Sequence, residues 1–364
     1  MTFLTIILFI FILGLLVFVH EMGHFIAAKL SKIKVEEFAF GFPPKIWSKQ
    51  KGETVYAINA IPIGGYVKML GESEESQSKR SFSRKSPGTR AFVSVAGVIM
   101  NFLLAWLILT IGFAIGMAPL VSTPDSIPGK KISTSIVVAD VTKGSSADVA
   151  GLKPGDDLIS ASVAGEKVTE FDLAKSVTDY TTTHLGKKVE IVYKRDNQEK
   201  LAETTLSSDP TSPLGISMVD NSIIRTAWYW SPVVALREIV RIIKINLVFL
   251  KSFFAQLFSS GQISKDVGGP VAIYIFTGMA AKAGAMVVLQ FIGILSISLA
   301  LINILPFPAL DGGRLLFIVL EKIFRKKVVT ESVENIIHMV GFALIIIFAI
   351  VVTYKDVVNL IIKK

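Results

Sequence analysis

Residues 19–25 read Val-His-Glu-Met-Gly-His-Phe, an H-E-x-x-H motif that follows a stretch, residues 1–19, without a charged side chain. On an α-helix, His20 and His24 are one turn apart and point the same way, so both imidazoles can bind one metal ion. Glu21 is rotated away from them and can take a proton from a water molecule at that metal. The motif therefore predicts a zinc hydrolase, with a third ligand from elsewhere in the chain and an open fourth position.

The composition is that of a membrane protein. The chain has 364 residues, of which 51% are hydrophobic, a mean hydropathy of +0.59 and a net charge of +9. A soluble protein of this length is far less apolar, so we expect an integral membrane protein with some soluble mass. The absence of Cys excludes disulfides and thiolate metal ligands. The basic charge is typical of a cytoplasmic membrane face and does not indicate nucleic-acid binding.

Four segments are long and apolar enough to cross a bilayer. They run from about Phe3 to Lys29, Ala91 to Met117, Ala283 to Leu310 and Ile336 to Thr353. No Lys or Arg precedes Lys29, so the first segment lacks the basic region of a signal peptide. The H-E-x-x-H motif thus lies in a span, where ionisable side chains are functional by default. The alternatives are coincidence, or a His pair that only hydrogen-bonds within a helix bundle.

The distribution of charge predicts the orientation. From Lys29 to Arg90 the chain has twelve Lys or Arg and six Asp or Glu, whereas from Asp125 to Trp230 it has twelve and fifteen. The first loop should be cytoplasmic and the long middle section outside, with both termini also outside. A basic cluster between the last two spans should be cytoplasmic as well, and it comprises Lys322, Arg325, Lys326 and Lys327. We expect a multi-pass protein of the bacterial inner membrane, with its metal site toward the cytoplasm.

The first loop contains β-rich runs on both sides of Gly64 and Gly65, which indicate a hairpin or small sheet. Beside a site in the membrane, the open edge of such a sheet can pair with an extended substrate. The candidate substrate-binding residues are Gly64, Gly65, Tyr66 and Val67. The alternative is a hairpin that only anchors the loop in the interface. The polar residues 71–90 are expected to form a flexible cytoplasmic linker.

The second span contains Ala96 and Gly97, followed by Asn101. Small residues let helices approach closely, and a buried Asn hydrogen-bonds across helices. We therefore assign these residues to helix packing.

Residues 131–220 are expected to form a soluble α+β module. The predicted strands are Ser135–Val141, Lys188–Tyr193 and Leu201–Leu206, with one helix near Phe171–Thr182. Residues 150–159 read Ala-Gly-Leu-Lys-Pro-Gly-Asp-Asp-Leu-Ile and resemble the signature of bacterial PDZ domains. Such domains bind extended peptide ends by adding a strand to a sheet. The alternative is a domain that only blocks access.

Residues 231–260 alternate apolar and basic positions with helical spacing, which predicts an amphipathic helix along the outer membrane surface. The basic residues are Arg237, Arg241, Lys244 and Lys251. Residues 265–270, Lys-Asp-Val-Gly-Gly-Pro, then predict a turn before the third span.

The third span ends in residues 303–314, Asn-Ile-Leu-Pro-Phe-Pro-Ala-Leu-Asp-Gly-Gly-Arg. The two prolines break a helix, and irregular backbone at membrane depth is tolerated where it lines a polar cavity. Asp311 is the natural third ligand, although it is also plausible as the N-cap of the following helix. Asn303 is a candidate hydrogen-bond donor to a developing oxyanion, and simple helix packing is its alternative.

These motifs together resemble the site-2 protease family of intramembrane zinc metalloproteases, and most of all its bacterial RseP-like branch. The resemblance rests on residues 20–24, on residues 303–312, on the Gly-Gly-Tyr-Val-Lys-Met run at residues 64–69 and on one PDZ-like insert. It covers nearly the whole chain in order. The family often has Pro after the Gly of the second span, where this chain has Val98.

The resemblance implies that His20, His24 and Asp311 bind Zn²⁺, that Glu21 is the general base and that Asn303 assists at the oxyanion. It also implies that the substrates are single-span membrane proteins already trimmed on the outside, such as anti-sigma factors, or remnant signal peptides.

The predicted fold class is therefore a polytopic α-helical membrane protein with about four spans, a membrane-associated β-hairpin and an inserted α+β PDZ-like domain. Residues 1–117 hold the first two spans and the hairpin, 118–226 the PDZ-like domain, 227–282 the surface helix and the Gly-Gly-Pro loop, and 283–364 the last two spans. The alternative function is a PDZ-bearing membrane adaptor or chaperone with a structural or inactive metal site. A closed site needs a fourth ligand, and neither His184 nor His338 is well placed to supply it.

Overall fold

The computed structural model describes residues 3–72, 76–121, 126–164, 166–195, 198–260, 267–326 and 328–362. Its elements in chain order are α1 (Phe3–Leu30), β1 (Val35–Lys51), β2 (Thr54–Met69), α2 (Pro87–Ile115), β3 (Lys130–Val141), α3 (Ser146–Val149), β4 (Asp157–Val163), β5 (Thr169–Glu170), α4 (Ala174–Thr183), β6 (Lys188–Arg195), β7 (Gln198–Thr205), β8 (Ile216–Arg225), α5 (Ser231–Ser260), α6 (Pro270–Ala283), α7 (Ala285–Asn303), α8 (Asp311–Phe324) and α9 (Glu331–Ile362). Lys265, Asp266 and Lys327 lie outside the described residues.

Within the described residues, four helices are long and apolar enough to cross a membrane, which agrees with the number of spans predicted from hydropathy. They are α1, α2, α7 and residues Ser332–Val358 of α9. The third span is shorter than expected, because α7 ends at Asn303 and not near Leu310. Pro306 and Pro308 lack the backbone N–H that a continuing helix needs.

The chain divides into two compact units, which are described separately. The first unit comprises residues Met1–Leu109 and Ala235–Lys364, and it contains the H-E-x-x-H motif and the hairpin. The second comprises Thr110–Val234 and contains the larger sheet.

In the first unit, α1 packs directly on α2 and α7. A Cβ added at Gly23 would lie 2.3 Å from the carbonyl oxygen of Ala96, so the backbones of α1 and α2 touch at this point. Ile12 and Leu16 of α1 form a buried cluster with Ile292 of α7. These contacts bring the last turns of α1 beside α2 and α7.

The sheet of the first loop differs from a simple hairpin. Residues 35–40 of β1 face residues 65–69 on one side, with Val35 opposite Met69, and residues 55–58 on the other. The later half of β1 returns along residues 54–59. Residues 65–69 are therefore an edge, and no described strand pairs with their outer side.

The expected hairpin or small sheet around Gly64 and Gly65 is confirmed, but the two glycines do not form its turn. The chain reverses at Gly52, which has a φ of +64°, between Lys51 and Thr54. Gly64, with a φ of +99°, lies inside β2, where the strand changes from one pairing to the other. A positive φ there is accessible to glycine at little cost.

The segment after β2 is not the flexible linker that its polar composition suggested, as far as residues 76–90 are concerned. Phe82 is buried in a cluster with Met69, Val93 and Ile318. Its N–H donates to the carbonyl of Leu70 at 2.8 Å. One buried aromatic ring holds the segment because it removes a large apolar area from water. Residues 73–75 lie outside the described part of the chain.

The second unit is a six-stranded antiparallel sheet with strand order β7-β6-β4-β3-β8, in which β5 pairs with β4. The predicted strands are confirmed as β3, β6 and β7, and the predicted helix as α4. The strands β4, β5 and β8 were not predicted. The core packs α4 against the sheet through Leu158, Val177, Ile191 and Leu214.

The helix predicted over residues 231–260 is confirmed as α5. Of the turn predicted over residues 265–270, the described part, residues 267–269, lies before α6 outside any helix or strand, with Gly269 as the N-cap of α6 and Pro270 in its first turn. Asp356 of α9 fixes this turn, because its Oδ2 accepts the N–H groups of Gly269 at 2.8 Å and Ala272 at 3.2 Å.

Candidate metal centre

Three side-chain atoms from α1 and α8 converge on one point. Nε2 of His20 lies 3.0 Å from Oδ2 of Asp311, and Nε2 of His24 lies 3.2 Å from the same oxygen. The two Nε2 atoms are 3.2 Å apart. Among the described residues these three are the group of His, Asp and Glu side chains able to share a metal ion.

The triangle fits a zinc ion. Ligand atoms at about 2.0–2.1 Å from a tetrahedral zinc are about 3.3 Å from one another, close to the separations found here. Oδ2 of Asp311 is buried and has no hydrogen-bond partner among the described residues. A buried acceptor in that position is satisfied by a cation. With three ligands from the described residues, the fourth position is left to water or substrate.

The second nitrogen of each imidazole is also held. Nδ1 of His24 lies 2.8 Å from the carbonyl oxygen of Val93, so it carries the proton and leaves Nε2 free to bind metal. Nδ1 of His20 lies 3.3 Å from the side-chain amide of Asn101. Oδ1 of that amide is buried without a partner. With the amide O and N exchanged, Oδ1 accepts from His20 Nδ1–H, which leaves Nε2 of His20 free for a metal.

Asn101 therefore contacts the metal-binding residue His20, whereas the sequence analysis assigned Asn101 to helix packing. The Oγ–H of Ser296 donates to the backbone carbonyl of Asn101 at 2.8 Å and ties α7 to this position. A buried Asn one span away from an H-E-x-x-H motif was the available signal.

Gly97 also lies at the centre and was missed by sequence reasoning. A Cβ added there would lie 2.4 Å from Nε2 of His24 and 2.7 Å from Cε1 of His20. No residue other than glycine leaves room for both imidazoles on this side.

Asp311 reaches the imidazoles because of the local sequence around it. Leu310 is the N-cap of α8, so the alternative in which Asp311 caps that helix is wrong. The two glycines that follow Asp311 permit a tight fold, because a Cβ at Gly312 would lie 2.2 Å from the carbonyl oxygens of Ile304 and Leu305. The Pro-Phe-Pro turn and the Gly pair thus direct the carboxylate of Asp311 toward α1.

Glu21 and Asn303 lie beside the triangle without joining it. Glu21 lines a cavity together with His24, Asp311, Tyr66 and Val67. Nδ2 of Asn303, the last residue of α7, lies 3.5 Å from Nε2 of His20.

Three of the four hairpin residues adjoin this cavity. Tyr66 and Val67 line it, and a Cβ at Gly65 would lie 3.3 Å from Cγ of Glu21. Gly64 packs instead against the ring of Phe42. The hydroxyl of Tyr66 donates to Oε1 of Glu37 at 3.1 Å. Burial and the neighbouring Glu37 carboxylate raise the pKa of Tyr66.

Neither His184 nor His338 lies at the metal centre. Nε2 of His184 lies 2.9 Å from Glu166 in the second unit. Nδ1 of His338 accepts the backbone N–H of Ala309 at 2.9 Å.

Comparison with known proteins indicates the same metal. The sequence profile described as peptidase family M50 matches residues 8–348. A protein named putative zinc metalloprotease from Clostridium acetobutylicum is 36% identical over 367 residues, which cover 98% of each chain. Another from Clostridium perfringens is 34% identical over 348 residues, covering 94% of this chain and 95% of that one. Zinc metalloprotease RasP of Shouchella clausii is 30% identical over 444 residues, covering 98% and 99%.

Zinc is thus the metal that both the ligand set and the relatives indicate. The profile spans most of the chain, including α1 and α8, which carry the three converging side chains. This membrane protein is a zinc-dependent protease and belongs to peptidase family M50.

Proposed function

We propose that the chain is an intramembrane endopeptidase that cleaves the transmembrane segments of single-span membrane proteins. The observation that carries the proposal is the position of the metal centre. His20 and His24 lie on α1, a helix apolar enough to span a bilayer, and a loop of seven residues separates Asp311 from the apolar α7. A hydrolytic site on such elements reaches peptide bonds in or near the membrane.

In this proposal His20, His24 and Asp311 hold the zinc ion. When bound, zinc supplies a Lewis acid that acidifies a water molecule and polarises a carbonyl group. Glu21 takes the proton from the attacking water and passes it to the leaving amine. Asn303 donates a hydrogen bond from Nδ2 to the carbonyl oxygen as negative charge develops there. Val93 and Asn101 keep the imidazoles oriented.

The edge of β2 is the proposed substrate site. A transmembrane helix hides its peptide bonds, so a substrate must become extended before it is cut. Residues 65–69 offer an unpaired strand edge whose residues Tyr66 and Val67 line the same cavity as Glu21. A substrate paired with this edge gains main-chain hydrogen bonds and lies beside the metal centre.

The second unit is proposed to be a PDZ-like domain on the extracytoplasmic side. The antiparallel sheet with α4 packed on it, and the residues 150–159 that lead into β4, support this assignment. Such a domain binds the new end of a trimmed substrate or excludes untrimmed ones by size. The substrate class is then anti-sigma factors or remnant signal peptides, cut after an outer cleavage in the bacterial inner membrane.

The testing experiment compares the wild type with Glu21→Gln on a tagged single-span substrate in reconstituted membranes. That change keeps the zinc ligands and removes the base. We expect cleavage within the span by the wild type and none by the variant, with equal zinc content. Equal cleavage by both would exclude Glu21 as the base. A wild type that binds zinc and cleaves no span, while still cutting soluble peptides, would refute the intramembrane role.

An adaptor with a closed structural metal site is less well supported. A closed site needs a fourth protein ligand, whereas the described residues place three side chains at the centre, two His and one Asp.

A further inference from the structure

A single carboxylate, that of Glu72, joins the proposed substrate strand to the helix that carries a metal ligand. Its Oε2 accepts the backbone N–H of Met69 at 3.1 Å. Its Oε1 accepts a hydrogen bond from Nη1 of Arg314. Met69 is the last residue of the edge segment 65–69, and Arg314 follows Asp311 by three residues in α8.

The environment of this bridge makes it rigid. The side chains of Glu72 and Arg314 are 15% and 30% exposed. The guanidinium also lies 5.8 Å from the ring centroid of Phe82, which is itself buried against Met69. Removing one partner of a mostly buried, hydrogen-bonded pair leaves the other charge uncompensated. Breaking this pair is therefore costly.

The Glu72–Arg314 bridge lies at the edge of the cavity that contains two of the metal ligands. Glu72 and Arg314 both line the cavity that contains Glu21, His24 and Asp311. A change in the position of either residue therefore alters the space between the strand edge and the metal ligands.

A second ion pair on α8 serves as a comparison for the pair of Glu72 and Arg314. Nη2 of Arg90 in α2 lies 2.6 Å from Oε1 of Glu321, and these side chains are 10% and 23% exposed. This pair also fixes α8 to a neighbouring element by one carboxylate and one guanidinium. No hydrogen bond or ion pair joins it to a described residue of β2, so it provides a matched control.

We infer that Glu72 and Arg314 are positioning residues that set the distance between the substrate-binding edge of β2 and the metal centre. This inference rests on the proposed role of residues 65–69 in holding the substrate. A peptide paired with that edge reaches the metal only if the strand is fixed relative to Asp311. Displacements of about 1 Å in such arrangements cost about 100-fold in rate.

Glu72→Gln is the sharpest test, because both oxygens of the carboxylate accept from donors. An amide has one acceptor oxygen, so Gln must turn its NH₂ group toward either Met69 N–H or Arg314 and lose that contact. We expect kcat/KM on a single-span substrate to fall at least tenfold, mainly in kcat, with zinc still at one per chain. Glu321→Gln should stay within about twofold of the wild type.

A second measurement reads the geometry without any activity. The chain has no Cys, so a spin-labelled pair at the exposed positions Lys68 on β2 and Lys322 on α8 is unique. The distance distribution measured by pulsed EPR should be narrow in the wild-type background. It should broaden or shift with Glu72→Gln, and it should not change with Glu321→Gln.

The outcomes separate this inference from the proposed function. Unchanged distances together with a change in kcat/KM below twofold would overturn the positioning role. So would a loss of zinc in Glu72→Gln that accounts for the lost activity, because the pair would then only support the ligand helix. A wild type that cuts no membrane substrate refutes the proposed function, and the EPR comparison still decides whether Glu72 couples β2 to α8.

Discussion

His338 of α9 accepts the backbone N–H of Ala309 over 2.9 Å, two residues before the metal ligand Asp311. Ala309 has a φ of +73°, in the left-handed region that non-glycine residues rarely adopt. Pro308 precedes Ala309 in this turn. A Cβ added at Gly341 of α9 would lie 2.4 Å from Cβ of Pro308, so α9 packs closely on the loop. The last span thus holds the backbone that presents Asp311.

The first prediction concerns this hydrogen bond. His338→Ala removes the acceptor and leaves the left-handed turn at Ala309 less constrained, so zinc affinity should fall about tenfold, as for other residues that support a metal ligand indirectly. His338→Asn offers a side-chain oxygen near the position of Nδ1 and should recover part of the loss. Competition with a chelator measures both. Met339→Ala, at an exposed position on the same helix, is the control and should bind zinc normally. An unaltered affinity in His338→Ala would refute the role.

The second prediction concerns Gly97. Gly97→Ala places a methyl group 2.4 Å from Nε2 of His24, inside contact distance of both imidazoles. We expect zinc to be lost and proteolysis to fall more than 100-fold. Gly88→Ala, in the first turn of the same helix with no atom near the added Cβ, should behave as the wild type. Zinc content by metal analysis distinguishes the two variants, and a zinc-replete Gly97→Ala protein would contradict the steric argument.

Most of the metal centre could be predicted from the sequence, whereas few of the residues around it could be. A four-residue spacing fixes His20 and His24 on one helix face, and the proline break before Asp311 signals a functional turn, so these elements could be predicted locally. The double pairing of β1 could not, because register in a small sheet depends on contacts that no short pattern encodes. Glu72 and Arg314 are 242 residues apart in the chain. Phe82 was overlooked because the polar residues around it outweighed one aromatic ring.

The third prediction tests Asn101. Asn101→Leu keeps the branching of the side chain and removes the partner of His20 Nδ1, so zinc affinity should fall about 10- to 100-fold. Asn101→Asp keeps an acceptor for the Nδ1 proton and should bind zinc more tightly than the Leu variant. The order wild type, Asp, Leu in a zinc titration would support the orienting contact. Equal affinities for the two variants would instead indicate that the side chain only fills space.

The fourth prediction concerns the ion pairs of Glu53, in the turn between β1 and β2. Glu53 accepts from both Nη atoms of Arg80 at 2.6 Å and from Nζ of Lys29 at 3.1 Å. The hydrogen bonds from Arg80, and then those from Lys29, lower the pKa of Glu53 to about 2. A carboxyl whose pKa is depressed by folding stabilises the protein above its ordinary pKa of 4.5 and loses that effect as the pH falls toward 2.

Thermal unfolding in detergent of the wild type and Glu53→Gln measures this dependence. The wild type should be modestly more stable at pH 7, because the three side chains are partly exposed and screened by solvent. The difference should shrink as the pH is lowered from about 4.5 toward 2, and it should also shrink in high salt. Glu36→Gln, whose pairs with Lys34 and Lys68 are longer at 3.9 and 3.5 Å, is the control and should change stability less. A difference between Glu53→Gln and the wild type that persists unchanged at pH 3 would show that shape, and not charge, fixes the hairpin to the end of α1.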